Sequence, residues 1–405
     1  MIPARRSIPA ITPPATLGIL GGGQLGRYFV IAARTMGYRT MVLEPDPHAP
    51  AGRVADVHLV APYDHPESLD RLADECAVVT TEFENPPAAA LAHLETRTLV
   101  RPSATAIAIT QDRRNEKRFL TSIGVAVAPF AVIDTAADLV GHGIEYPAIL
   151  KTARLGYDGK GQVVAHDQRE LEAAWHALGA VACVLEHRLE LSAELSVVLA
   201  RSPAGDVTHY PPVQNTHVDG VLDLTVFPAA DTPREAASIA GHIADSLDYV
   251  GVLAVELFVV GRGILVNELA PRPHNSGHWT LDGAQTSQFE QQVRAVCGLT
   301  LGGTAPTSPA AAMVNLLGDL WAPGEPDWGT AMADPRAHLH LYGKSAPRAG
   351  RKMGHLTVLA HSPEAAVEVA LTCRRDACGN LQLDNCPHRH PRRLAALLGH
   401  DRRHL

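Results

Sequence analysis

The chain reads as an α/β protein, a Rossmann-like first unit followed by a strand-rich second region, and three observations predict it. A short apolar strand at Thr16–Leu20 runs into the glycine turn GGGQLGR and then a helix. Strands and helices alternate from there to about residue 101, the rhythm of a parallel sheet. From residue 112 the rhythm changes to short apolar strands broken by Gly and Pro, ending in a long apolar hairpin across LAVELFVVGRGILVNELA.

In the first unit a helix is expected over 28–36, strands at 40–43, 57–60, 77–81 and 99–101, and helices over 67–75 and 86–94. Gly21, Gly23 and Gly26 with Glu44 beyond match the dinucleotide fingerprint, yet such glycines suit any tight strand-to-helix turn near a phosphate. Glu82 and Glu84 follow a strand's C-terminal end, where open α/β sheets place ligand contacts; helix-entry carboxylates are the other reading.

In the second region QDRRNEKRFL reads as a basic helix, and the strand 148–151 ends on Lys151. The loop RLGYDGKGQ follows at once, with Gly156, Gly159 and Gly161 free to expose backbone N–H groups to phosphates beside that fixed ammonium. CVLEHRL is a further apolar strand running into polar residues, suited to a nucleotide hinge at 187–189, and Glu194 opens the next strand. In the hairpin, a three-residue loop centred on Arg262 sets Val260 opposite Ile264 and Glu256 opposite Glu268. Opposed carboxylates repel, so a divalent cation between them is one reading. Solvated glutamates at a strand edge are the other, and a one-residue bulge would part the two faces.

The 405 residues suffice for two or three domains with full cores, and a net charge of −8 argues against a general nucleic-acid binder or a polybasic membrane anchor. No apolar run approaches a membrane span, and the Pro-broken start MIPARRSIPAITPPAT lacks the apolar core of a signal peptide, so a cytosolic protein is expected. Six scattered cysteines fit reduced thiols, and Cys373, Cys378, Cys386, His388 and His390 lack the regular spacing of a zinc site.

GGGQLGR, GYDGKGQ, NELAPRPHNSGHW and GRKMGH, taken in this order with Lys151, Glu186, Glu194, His217 and the Glu256/Glu268 pair, closely resemble the 5-(carboxyamino)imidazole ribonucleotide synthase family of the ATP-grasp superfamily. The resemblance covers about 16–360. It implies an ATP-grasp fold with a Rossmann-like pre-ATP-grasp domain and a small C-terminal α+β domain. The division expected is a disordered extension at 1–15, the Rossmann-like domain at 16–112, the ATP-grasp domain at 113–303, the C-terminal domain at 304–385 and a basic tail at 386–405.

By the same resemblance ATP would be held by Arg113, Lys151, the loop Gly156, Tyr157, Asp158, Gly159, Lys160, Gly161 and Gln162, then Glu186, His187, Arg188 and Leu189, and Glu194, His217, Asn267 and Glu268. Glu256 and Glu268 would carry Mg²⁺ or Mn²⁺. The ribonucleotide would meet Gln24, Glu84, Tyr157, Lys160, Arg272, His274, Asn275, Ser276, Arg351 and Lys352, with Asp158, Lys151 and Arg272 in catalytic roles. Family members often carry Arg where Lys160 stands, and Lys offers no bidentate fork. Many ATP-grasp enzymes place Asn where this chain has Ala270. The implied reaction is ATP-dependent carboxylation of 5-aminoimidazole ribonucleotide (AIR) with bicarbonate through carboxyphosphate, by a homodimer. A related ligase such as a formate-dependent glycinamide ribonucleotide transformylase is the nearer alternative, and a nicotinamide-dependent oxidoreductase, resting on the first glycine loop and Glu44, the distant one.

Overall fold

A computed structural model describes residues 9–156, 158–230 and 232–378. The first unit is a five-stranded parallel sheet in the order Val57–Leu59, Arg39–Leu43, Thr16–Leu20, Val78–Thr81, Leu99–Val100. Its central strands are buried along almost their whole length because helices cover both faces. Helices Pro66–Glu75 and Ala88–Glu95 seal one face through Leu69, Leu72, Leu91 and Leu94. The other face packs against helix Gln24–Thr35 and, from far along the chain, helix Gln288–Cys297 through Val293 and Val296.

Helix Gln24–Thr35 begins four residues before the expected 28, inside the glycine turn. The cause is a long-range cap: the Glu82 carboxylate accepts from Gly23 N and, at 2.6 Å, from Gly26 N, satisfying N–H groups at the helix start. Residues 9–15, expected within a disordered extension, instead lie against the body. Ile11 N donates to Cys297 O at 2.8 Å, and the Tyr38 hydroxyl donates to Ile11 O. The tail 386–405, with Cys386, His388 and His390, falls outside the described residues, and the five described cysteines are free thiols.

A four-stranded antiparallel sheet follows, ordered Phe130–Ile133, Cys183–His187, Ala148–Thr152, Gln162–Ala165, with helix Gln168–Ala177 on one face through Leu171 and Trp175. A nine-stranded antiparallel sheet then runs Gly263–Ala270, Gly251–Val260, Ala193–Arg201, Val213–Val218, Val221–Phe227, Ala310–Leu317, Lys352–Ala360, Ala337–Leu341, with Val207–His209 beside Ala193–Arg201. The strands after residue 304 therefore extend the same sheet, and helix Pro363–Asp376 covers them.

The hairpin corrects the expected register. Its loop is two residues, Gly261 and Arg262, with Val260 opposite Gly263 rather than Ile264, and Gly261 at φ 59 supplies the left-handed position that such a turn demands. This tighter turn alone would have parted the carboxylates. A bulge next to Glu256, which leaves Asn267 without an opposite residue, restores Glu256 opposite Glu268.

Candidate active site

A cleft of about 890 Å³ opens where the first sheet, the hairpin and the C-terminal strands meet. Glu256 and Glu268 line its floor. Arg113, at the start of helix Arg113–Ser122, donates to Glu268 Oε2 at 2.8 Å, and although burial opposes ionisation, Arg113 holds the Glu268 carboxyl below its ordinary range. Glu256 has no such cover, and burial, then the Glu268 charge, push its carboxyl up. His274 Nε2 stands 3.2 Å from Glu256 Oε1. Ser276 N donates to His274 Nδ1 at 3.3 Å, placing the imidazole proton on Nε2, and burial keeps this ring neutral. Two carboxylates, Glu256 buried and Glu268 half-buried, only one of them covered by a cation, fit a divalent ion whose shell phosphate oxygens would complete. Among the described residues no group of three His, Cys, Asp or Glu side chains is placed to hold a metal alone.

Beneath these carboxylates lies a charged layer in which Lys117 joins the expected Lys151 and Glu186. Lys151 Nζ donates to Glu186 Oε2 at 2.9 Å, and buried Lys117 Nζ lies 3.4 Å from Glu186 Oε1. Burial disfavours the Glu186 charge, yet the two ammonium groups hold its carboxyl at about 2. Glu186 is thus turned inward as the lysines' counter-ion. At the hinge His187 N and Arg188 N donate to Pro129 O and Pro147 O, both at 2.9 Å, so these two N–H groups are satisfied by backbone. Glu116 lines the cleft with Oε2 accepting from Leu269 N and Oε1 buried without a partner, and burial lifts its carboxyl to about 8.

His217 sits within strand Val213–Val218, at a bulge. Its Nδ1 lies 2.7 Å from Glu194 Oε2; burial disfavours its charge, but the Glu194 carboxylate raises its pKa. Asn267, in the hairpin bulge, has a buried Oδ1 with no partner, and its backbone carbonyl accepts from Lys117 Nζ.

The glycine-rich loop roofs the cleft. Thr152 N donates to Gly161 O at its stem, and Asp158, Gly159 and Gly161 all take positive φ, of 48, 74 and 72. Gly159 rests on the Asp219-Gly220 turn: a Cβ at Gly220 would lie 2.5 Å from Gly159 Cα. Lys352 Nζ donates to Asp158 Oδ1 at 2.7 Å across the cleft mouth. Gly156 and Lys160 line the cleft, Gln162 opens the strand that leaves the loop, and Tyr157 falls outside the described residues.

At the far end Gln24, Glu84, Arg272, Asn275 and Arg351 border the same space. Arg272 pairs with Glu84, tying the hairpin's exit to the first sheet, and Arg351 Nη1 donates to Ala346 O. Asn275 is buried with both amide atoms unpartnered, a donor and acceptor left for a ligand. Ser276 is fully buried against His274 at 2.8 Å, so its part is to hold that ring. Lys344, which no sequence motif singled out, lines this end; burial lowers its ammonium to about 8. The fingerprint turn is closed to a pyrophosphate, because Glu82 fills the helix N-terminus and Glu44 accepts from Gly22 N and the Tyr63 hydroxyl. The oxidoreductase alternative loses its only footing.

A glycine-rich loop on one antiparallel sheet, facing paired carboxylates on another, with a Rossmann-like unit ahead of both, defines an ATP-grasp ligase. The ATP-grasp domain family matches residues 118–289, the ribonucleotide synthetase preATP-grasp domain family 14–111, and the phosphoribosylaminoimidazole carboxylase C-terminal domain family 311–369. The N5-carboxyaminoimidazole ribonucleotide synthase of Bacillus subtilis is 42% identical over 359 residues, 86% of this chain and 92% of its own. That of Brucella melitensis is 43% identical over 356 residues, 86% of this chain and 97% of its own. Among solved structures, an N5-carboxyaminoimidazole ribonucleotide synthetase in complex with ADP superposes with a TM-score of 0.85 at 39% identity, covering 90% of this chain and 97% of that one. The Aspergillus clavatus N5-carboxyaminoimidazole synthase, in complex with ADP and 5-aminoimidazole ribonucleotide, gives 0.80 at 30% identity, covering 89% and 98%. The chain belongs to the N5-carboxyaminoimidazole ribonucleotide synthase family.

Proposed function

We propose that the protein carboxylates the exocyclic amine of AIR in purine biosynthesis, consuming ATP and bicarbonate and releasing ADP and phosphate. The observation that carries this is one continuous cleft with two chemically different ends. Glu256, Glu268 and Arg113 line one end, while Gln24, Asn275, Lys344 and Arg351 line the other. The first suits a metal-bound triphosphate and the second a phosphorylated sugar, with the Asp158 loop between. In this reading 16–112, 304–385 and the segment 272–276 supply the sugar end and the rest of 113–303 the nucleotide end, in a cytosolic homodimer, as the family resemblance implies.

Bicarbonate oxygen attacks the terminal phosphorus of ATP, giving carboxyphosphate and ADP. Mg²⁺, or Mn²⁺, held by Glu256 and Glu268 would neutralise charge on the phosphates. Arg113, Lys151 and Arg272 add fixed positive charge in a buried setting, where it acts more strongly than in water. Carboxyphosphate then collapses to carbon dioxide and phosphate in the closed site, and the amine nitrogen of AIR attacks the carbon. Asp158 takes the amine proton, oriented by the Lys352 ammonium 2.7 Å away. Lys344, Arg351 and Lys352 hold the ribonucleotide phosphate, and Asn275 supplies a paired donor and acceptor to the sugar.

Phosphate release from ATP with Mg²⁺ and bicarbonate, with and without AIR, tests the proposal, with glycinamide ribonucleotide plus formate as the control. Strong stimulation by AIR alone is expected. Turnover with the control and none with AIR would move the protein to the transformylase branch and void the sugar-end assignments.

A further inference from the structure

Leu155 combines three properties that do not ordinarily occur together. It is 72% exposed, it lines the cleft, and its backbone sits at φ 63, a left-handed conformation that a leucine's Cβ disfavours. Slack does not explain the pose, because the stem is pinned on both sides. Arg113 N donates to Ala153 O, Ala153 N to Ala182 O, Thr152 N to Gly161 O, and Arg154 Nη2 to Gln111 Oε1 at 2.7 Å. Gly156 is packed so closely that a Cβ there would lie 3.1 Å from both Lys160 O and Thr152 Oγ1. The neighbours thus hold an apolar side chain out of the core and into a cleft otherwise rich in charge. Glycine or asparagine would sit there with less strain, so the side chain itself is what the pose retains.

We propose that Leu155 is a shielding residue: bound substrates bury it, and its apolar wall keeps water from carboxyphosphate until the amine of AIR has reacted. This rests on the carboxylation reading above. The step it guards against is balanced. Water adds to carboxyphosphate, the bond between the carboxyl oxygen and phosphorus breaks, and bicarbonate and phosphate are released, so one ATP is spent with no carbon–nitrogen bond formed. The loop's charged and polar members cannot provide this exclusion, since each of them draws water in.

The test compares initial rates of AIR consumption and phosphate release in the full-length enzyme with Leu155→Asn, Leu155→Gly and Leu155→Met. Asn and Gly tolerate the left-handed backbone, so both variants fold, while Met keeps the apolar volume. The parent and Leu155→Met should consume about one AIR per phosphate, and the Asn and Gly variants about half that or less, with KM for ATP changed less than about twofold. A parent-like ratio in both Asn and Gly variants would overturn the inference while leaving the carboxylation reading intact. A parent that consumes no AIR would overturn that reading, and this inference with it.

Discussion

Glu116 and Glu268 face the same Arg113, yet only Glu268 carries a direct contact to it, and burial leaves Glu116 with its carboxyl near 8. A carboxyl raised in the folded state from 4.5 contributes stability that is full below 4.5 and lost as pH rises toward 8. Glu116→Gln keeps the acceptor for Leu269 N and cannot ionise. Its stability should therefore fall less than the parent's between pH 4.5 and 8, by up to about 1.4 kcal/mol per pH unit, read from urea midpoints across that range. Parallel curves would remove the neutral carboxyl from this layer. Asp158→Asn should lower AIR-stimulated phosphate release by about 100-fold or more with KM for ATP little changed, whereas full turnover would end its role as base. At this scale motif reading named Glu256, Glu268, Asp158 and Lys352, which the fold brings to one cleft. It missed Lys117, Glu116 and Lys344, which matter through neighbours far along the chain or through burial, neither of which has a local signature.

The hairpin shows how a right pairing came from a wrong turn. The loop is one residue shorter than expected, and the unpaired Asn267 makes up the difference. Alternation of apolar residues tells a strand, but register depends on turn length and bulges, which a short apolar run does not encode. Asp219-Gly220 is a more legible element, a two-residue turn with φ 51 and 79 joining Val218 to Val221, the arrangement that favours Asp-Gly. Its role as a seat for the glycine loop shows only in three dimensions. Gly220→Ala should cost about 1–2 kcal/mol in positive-φ strain and raise KM for AIR about tenfold, because its Cβ would meet Gly159. Asp219→Gly, which tolerates the same backbone, should leave KM unchanged. Equal KM values in both variants would show that the turn does not hold the loop.

Three separate stretches of chain meet behind the cleft in a stack of aromatic rings. Tyr28 comes from the first unit, His278 from the segment after the hairpin, and His340 and His355 from the C-terminal strands. Ring centroids lie 4.6 Å apart for His278 and His355 and 4.5 Å for His340 and His355, with Tyr28 at 6.1 Å from His278. Asp282 offers His340 a carboxylate at 2.8 Å, while His278 Nε2 and His355 Nε2 are buried without partners. Burial, then the neighbouring imidazoles, hold His278 and His355 well below 6.5, so both are neutral in the folded protein. A histidine depressed in this way stabilises fully above its unfolded pKa, and that stability is lost as pH falls below about 6.5, when the unfolded chain takes up protons that the stack refuses. Acidification should therefore loosen the join between the three stretches. His278→Phe keeps an aromatic ring in the stack, and Gln288 Nε2 retains its hydrogen bond to His274 O at 2.7 Å. Between pH 5 and 6.5 the variant's stability should depend on pH less steeply than the parent's, by up to about 1.4 kcal/mol per pH unit. Denaturant midpoints for parent and variant at half-unit steps decide it: slopes that coincide would mean that His278 takes its proton without disturbing the join.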